Sequence, residues 1–132
     1  MASNSRTSQV ILVLGASGSC GRVFVDHAVH AGLSLRCLSR DPSRIKIPSF
    51  VDFTSQFVDV RQGSLSNEQD VTKACEGISA VVAMIGLPAG APVAAPGQSE
   101  LLIAMRHVVA GMRTHGVKRL IVQMGAFTKL DG

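Results

Sequence analysis

The sequence is 132 residues long, with 46% hydrophobic and 17% charged residues and a formal net charge of +4. This length and composition predict a single globular domain, because they allow a sizeable core and exclude a disordered chain. No apolar run is long enough to cross a bilayer, and no Tyr or Trp is available to stack on bases, so we expect neither a membrane nor a nucleic-acid partner.

The first nine residues are polar and lack the apolar centre of a signal peptide. They predict a disordered tail over residues 1–9, a folded domain over residues 10–132 and a cytoplasmic location. The cysteines Cys20, Cys37 and Cys75 lie far apart without metal-ligand spacing. We therefore expect small buried thiols in a reducing compartment and no metal site.

The first predicted element is a strand over Val10–Leu14, because five consecutive branched aliphatic residues are typical of a strand buried on both faces. It leads into the glycines Gly15, Gly18 and Gly21, and then into a helical apolar period. Gly15 permits a tight turn, Gly18 lets a pyrophosphate approach the backbone, and Gly21 lets the helix pack closely. The amino end of that helix then faces the anion, although three glycines are also typical of a simple turn.

A second strand is predicted over Leu33–Leu38, and Asp41 followed by Pro42 predicts the start of a short helix. Arg40 follows this strand, and Arg44 lies one helical turn further along. Guanidinium groups match phosphate bidentately, so this pair favours NADP over NAD. The alternative is two solvated surface arginines. A wider basic cluster comprises Arg36, Arg40, Arg44 and Lys46, which a phosphorylated small ligand explains.

Three further strands are predicted, at Phe57–Arg61, Ile78–Ile85 and Leu120–Met124. Between them, one helix begins at Ser66, which forms a capping box with Gln69, and another begins at Ser99. Strands alternating with helices predict an α/β fold, a Rossmann-type doubly wound parallel sheet with strand order 3-2-1-4-5. Its ligand crevice lies at the carboxyl ends of the strands, lined among others by Ser39 and Met124.

Five segments of this chain resemble an atypical short-chain dehydrogenase/reductase: Val-Leu-Gly-Ala-Ser-Gly-Ser-Cys-Gly, Leu-Ser-Arg-Asp-Pro-Ser-Arg, Gly-Ser-Leu-Ser, Ala-Val-Val-Ala-Met-Ile-Gly and Ala-Gly-Met-Arg-Thr-His-Gly-Val-Lys-Arg-Leu-Ile-Val. The likeness is greatest to the NAD(P)H-binding group of flavin/biliverdin reductase and NmrA-like proteins, and it covers almost the entire chain. Members of that group continue past the length of this chain with a substrate-binding section.

The resemblance implies an NADP(H) site that extends over four segments. It implies pyrophosphate contacts at Gly15, Ala16, Ser17, Gly18, Ser19, Cys20 and Gly21. It implies 2′-phosphate contacts at Arg40 and Arg44, adenine near Ser64 and Leu65, and ribose or nicotinamide near Ile85, Gly86 and Leu87.

Two departures from the resemblance concern the site. Ser64 stands where the group usually has an aspartate after strand 3, which predicts a weaker contact to the adenine amino group. The end of strand 5, at Met124, lacks the usual serines. The chain has no tyrosine, which excludes a Tyr-x-x-x-Lys dyad. The histidines, predicted to be surface residues away from the strand ends, are His27, His30, His107 and His115. No catalytic residue is therefore assigned.

The first functional hypothesis is a reductase of the flavin/biliverdin reductase type, which transfers hydride from NADPH to an aromatic, flavin- or tetrapyrrole-like acceptor. The second is a non-catalytic NADP(H)-sensing or interaction module. The third is an inactive truncated isoform, in which the apolar edge at strand 5 predicts a homodimer.

Overall fold

The computed structural model describes residues 9–49, 56–85 and 99–123. In these residues five parallel strands form one sheet in the order β3-β2-β1-β4-β5, and they are β1 (Val10–Leu14), β2 (Ser34–Ser39), β3 (Val58–Gln62), β4 (Ala80–Ala83) and β5 (Leu120–Val122). The helices are α1 (Ser19–His30), α2 (Glu68–Ala74) and α3 (Glu100–His115), with a 3₁₀ turn at Pro42–Arg44. The predicted α/β Rossmann-type sheet and its strand order are confirmed.

The central strand β1 is buried on both faces, as its aliphatic run predicts. Val13 packs on the face that carries α1, whereas Leu12 and Leu14 pack on the face that carries α2 and α3. This alternation follows from the two-residue period of a strand. All three side chains are fully buried, and each such side chain contributes about 1.5–3 kcal/mol of transfer free energy. The two-sided core therefore fixes the register of β1 between β2 and β4.

The ends of several elements differ from the predicted ones. β2 and β3 each begin and end one residue later than predicted, and β4 is shorter than predicted, with its four residues paired to Ile11–Leu14 of β1. The predicted capping box at Ser66 is wrong. Asn67 is the N-cap of α2, where its side chain accepts from the N–H groups of Gln69 and Asp70. Ser99 precedes α3 as predicted but makes no side-chain capping bond within the described residues.

Arg36 does not belong to the predicted basic cluster, because it is buried and only 7% exposed. Its Nη1 donates to the carbonyl oxygens of Ala74 and Glu76, at 2.8 and 2.5 Å. Its Nε lies 3.7 Å from Oδ2 of Asp59, to which Nε of Arg61 donates at 2.8 Å. Burial lowers the pKa of Arg36. The guanidinium therefore fastens the carboxyl end of α2 to the sheet, where the helix dipole favours a cation.

The edge of the sheet at β5 is apolar. Ile121 and Val122 are 48% and 46% exposed, and within the described residues β5 pairs with β4 alone. Pairing of two copies along this edge stays a prediction. No helix in residues 9–49, 56–85 and 99–123 has both the length and the apolar character to span a membrane.

Candidate functional site

The carboxyl ends of four neighbouring strands meet at one edge of the sheet. Leu14 at the end of β1 is in register with Leu38 of β2 and with Ala83 of β4. The N–H of Met84 donates to the carbonyl of Leu14 at 2.9 Å, and the N–H of Gly63 donates to the carbonyl of Ser39 at the same distance. The segments that leave β1, β2, β3 and β4 therefore lie side by side, in the position where ligands bind in open α/β sheets.

Gly15 turns the chain immediately after β1. Its φ is +85°, a left-handed conformation that favours glycine, and a β-carbon there would overlap the carbonyl oxygen of Met84. The N–H of Gly18 donates to the carbonyl of Gly15 at 3.1 Å and closes the turn. The predicted role of Gly15 as the residue that permits a tight turn agrees with this geometry.

Gly21 brings α1 against that turn. A β-carbon at Gly21 would overlap the carbonyl oxygen of Gly15 and would lie 2.8 Å from Cα of Ala16. A β-carbon at Gly18, in contrast, would have the carbonyl oxygen of Gly15 at 3.4 Å as its nearest neighbour, which is an ordinary contact. The fold itself therefore requires glycine at position 21 but not at position 18.

The first turn of α1 is suited to an anion. Its N-cap, Gly18, has no side chain to bond the N–H groups of that turn, and the turn holds no acidic residue. A helix terminus of this kind carries roughly half a positive charge and binds phosphate groups. Ser17, Ser19 and Cys20 are exposed, so the prediction of a buried thiol is wrong for Cys20. Ala16 is buried, so it offers a ligand almost no surface.

The loop after β2 presents two arginines, and its one carboxylate is exposed and hydrogen-bonded within the loop. Asp41 accepts from the N–H of Ser43 at 3.1 Å and from its hydroxyl at 2.5 Å, and the hydroxyl bond lowers the pKa of Asp41. Asp41 is the N-cap of the 3₁₀ turn, as predicted. Arg40 and Arg44 are exposed, and neither forms an ion pair with another residue that the structure describes. The hydroxyl of Ser39 is occupied within this loop, with the N–H and carbonyl of Asp41 as partners.

An open cavity of about 380 Å³ lies between the ends of β2 and β3, and the residues that line it are Arg40, Gln62, Gly63, Ser64 and Asp70. The sequence predicted Arg40 and Ser64 as site residues but missed Gln62 and Asp70. Asp70 reaches the cavity from the first turn of α2, where its Oδ2 accepts from the N–H of Ser64 at 3.0 Å. No motif in the sequence connects this helical aspartate with the loop six positions earlier.

Leu65 and Ile85, which are predicted to lie near the base and the nicotinamide, are both partly buried against the core under α2 and α3. Nδ1 of His107 donates to the carbonyl oxygen of Leu65 at 2.7 Å, since a carbonyl accepts only. The prediction of a surface histidine away from the strand ends is therefore wrong for His107, which is half-buried and holds the loop after β3.

The remaining predicted site residues, Gly86, Leu87 and Met124, lie outside the described residues. In the part of the chain that the structure describes, no group of three or more His, Cys, Asp or Glu side chains is arranged to hold a metal ion. Burial raises the pKa of the Cys37 thiol to about 12 and also raises that of Cys75. Both thiols are therefore inert core groups.

A family model described as NAD(P)H-binding matches residues 15–131. The fold is similar to that of a Rossmann-fold NAD(P)-binding family protein from Shigella flexneri, with a TM-score of 0.62 and 23% identity, covering 86% of this chain and 50% of that one. It is also similar to triphenylmethane reductase from Citrobacter sp. complexed with NADP(H), with a TM-score of 0.62 and 23% identity, covering 89% of this chain and 38% of that one.

A third similar structure is a variant of uronate dehydrogenase from Agrobacterium tumefaciens complexed with NAD, with a TM-score of 0.64 and 22% identity, covering 89% of this chain and 41% of that one. At these identities the likeness shows a shared fold. The chain spans half or less of the length of each of the three structures.

Proposed function

The chain belongs to the NAD(P)H-binding family whose model matches residues 15–131, and from this premise we propose that it is an NADPH-dependent reductase. NADPH binds along the carboxyl edge of the sheet, with its pyrophosphate at the amino end of α1 and its 2′-phosphate at Arg40. The acceptor is an aromatic, flavin- or tetrapyrrole-like molecule. This acceptor class is the one that the resemblance to the flavin/biliverdin reductase group implies.

The observation that carries this proposal is the exposed guanidinium of Arg40, which follows β2, the strand that pairs with β1. Arg40 lies directly after β2 and lines the cavity between β2 and β3. A carboxylate at this position would accept from a ribose 2′-hydroxyl and repel a 2′-phosphate. The carboxylate of Asp41, the next residue in the sequence, accepts hydrogen bonds from Ser43 instead. The local charge therefore favours NADP(H) over NAD(H).

NADPH, when bound, supplies the hydride. The chain's own contribution is to hold and orient the cofactor: the first-turn N–H groups of α1 bind the pyrophosphate, and Arg40 and Arg44 bind the 2′-phosphate. The segment after β4 offers the apolar side chains of Met84 and Ile85, which are suited to exclude water beside the nicotinamide. Direct hydride transfer to an aromatic acceptor does not require a Tyr-Lys pair, which these 132 residues do not contain.

Parallel calorimetric titrations with NADPH and NADH test the cofactor. We expect NADPH to bind more tightly, and we expect Arg40→Met to reduce the NADPH-to-NADH preference by about tenfold or more, since a charge-assisted hydrogen bond is worth about 1.5–3 kcal/mol. Arg113→Met, at an exposed arginine in the last turn of α3, is the matched control and leaves the preference unchanged. An unchanged preference in Arg40→Met contradicts the role of Arg40.

The acceptor is tested on the same sample with a dye-reduction assay, followed by flavins, quinones and tetrapyrroles. Turnover of NADPH with an aromatic acceptor supports the reductase. NADPH binding without turnover on any of these acceptors supports the second candidate, a non-catalytic NADP(H)-sensing module. That candidate is favoured by one observation: Met84 and Ile85, which follow β4 in the described part of the crevice, carry no acid or base.

A further inference from the structure

Asp70 places a carboxylate on the wall of the cavity between β2 and β3. Its Oδ2 accepts from the N–H of Ser64 at 3.0 Å, and a β-carbon added at Gly63 would lie 3.2 Å from Cβ of Asp70. Asp70 is half-buried, and it shares the cavity wall with Arg40. The hydrogen bond to Ser64 therefore holds the carboxylate on the wall of the cavity.

The side chains of Ser64 and Gln62, which also line the cavity, are less available to a ligand. The hydroxyl of Ser64 lies 2.7 Å from that of Ser66 and also accepts from the N–H of Ser66 at 3.2 Å. The side-chain amide of Gln62 donates to the carbonyl of Arg40 at 3.5 Å. An ionised carboxylate accepts about four hydrogen bonds, so Asp70 keeps acceptor capacity beyond its bond to Ser64.

The proposed NADP(H) site determines which part of the cofactor reaches this cavity, and the assignment that follows rests on that proposed function. With the pyrophosphate at the end of β1 and the 2′-phosphate at Arg40 after β2, the adenosine ribose lies between these two strand ends. The base attached to that ribose extends away from the pyrophosphate, towards the end of β3. It therefore enters the cavity that Arg40, Gly63, Ser64 and Asp70 line.

We propose that Asp70 selects an adenine base, by accepting a hydrogen bond from the exocyclic amino group of adenine while its Oδ2 holds the N–H of Ser64. A carboxylate is suited to this selection because it accepts hydrogen bonds and cannot donate one when ionised. A purine that carries a carbonyl oxygen at the same ring position meets the carboxylate with a second acceptor, and the two repel.

The probe pair is NADPH and its hypoxanthine analogue, deamino-NADPH, in which the amino group is replaced by a carbonyl oxygen. Both carry the same ribose and phosphate groups. Any effect of the Asp70 charge on the phosphates is therefore equal for the two molecules and cancels in the ratio of their dissociation constants. We expect the unmodified protein to bind NADPH about tenfold or more tightly than deamino-NADPH. A ratio near one, with NADPH still bound, overturns the role of Asp70 and leaves the proposed function standing.

Asp70→Asn is the decisive variant, because its carbonyl still accepts from Ser64 while its amino group donates to the carbonyl oxygen of hypoxanthine. We expect the ratio to fall to within about twofold. Glu68→Gln is the matched control, since it removes the same charge from the first turn of α2 at an exposed position outside the cavity, and it keeps the ratio of the unmodified protein. A tenfold ratio retained in Asp70→Asn overturns the proposal. Failure of the unmodified protein to bind either cofactor contradicts the proposed function as well.

Discussion

A β-carbon at Gly21 would overlap the carbonyl oxygen of Gly15, so α1 begins in direct contact with the turn that follows β1. This close approach holds the amino end of α1 at the carboxyl end of β1. The third glycine, Gly18, lies between them without being required by the packing. The fold therefore requires glycine at position 21, whereas glycine at position 18 is explained by a ligand that approaches the backbone.

The first prediction compares Gly21→Ala with Gly18→Ala. The added methyl group at Gly21 overpacks the turn, and we expect it to lower the free energy of unfolding by about 2 kcal/mol. At Gly18 the backbone is extended, with φ −74° and ψ 172°, and the methyl group makes an ordinary contact. We expect a smaller loss there, about 0.5–1 kcal/mol, because alanine is a poorer N-cap than glycine. Urea unfolding measures both, and equal destabilisation by the two variants would refute the packing role of Gly21.

The second prediction uses Gly18→Asp to separate binding from folding. Aspartate is a favourable N-cap, so this variant should be at least as stable as the unmodified protein. Its carboxylate would stand against the cofactor's pyrophosphate, and like charges in contact cost several kcal/mol, so we expect NADPH affinity to fall about a hundredfold or more. Gly18→Asn adds a similar volume without the charge and should lose less. Calorimetry on the folded variants checks this, and unchanged NADPH affinity in Gly18→Asp would count against a pyrophosphate at the turn.

The sequence predicts the features of this molecule that depend on residues close together in the chain. The strands and the turn at Gly15 follow from aliphatic runs and glycine spacing, which are properties of neighbouring residues, and the strand order follows from the alternation of strands with helices. Asp70, His107 and Arg36 escaped prediction because each acts on a distant segment: Asp70 on Ser64, His107 on Leu65 and Arg36 on the end of α2. Sequence periodicity reports which face a residue occupies and carries no information about its partner across the fold.

The third prediction concerns the buried guanidinium of Arg36. Arg36→Met keeps most of the volume but removes the donors to the carbonyls of Ala74 and Glu76. Asp59 retains its bond to Arg61, so we expect a loss of about 2–4 kcal/mol rather than the full cost of an unpaired buried charge. Chemical denaturation measures the loss, with Arg106→Met at an exposed position on α3 as the control. Equal stability of the two variants would mean that Arg36 does not fasten α2.

The fourth prediction concerns the three thiols. Cys20 is exposed at the start of α1, whereas Cys37 and Cys75 are buried with raised pKa values. Because the thiolate is the reactive form, we expect one thiol to react with a disulfide reagent near pH 8 in the folded protein and all three after unfolding. Saturating NADPH should slow the reaction, because the cofactor covers the first turn of α1. Labelling at the same rate with and without NADPH would place the cofactor elsewhere.

The pKa of Cys37 also gives the direction of a pH effect. A thiol whose pKa is raised from near 9 to about 12 in the folded protein stabilises the fold below pH 9. This contribution is lost as the pH rises from about 9 towards 12, because the unfolded chain then releases a proton that the folded chain retains. Urea unfolding at pH 8 and pH 10 should show lower stability at the higher pH, and Cys37→Ala should reduce the difference.

The most direct test of the site is a crystal structure of the protein with NADPH. We predict that the pyrophosphate lies against the N–H groups at the start of α1, between Gly15 and Gly21, with the 2′-phosphate in contact with Arg40. A turn filled by a side chain of the protein, or NADPH bound away from it, would contradict the site.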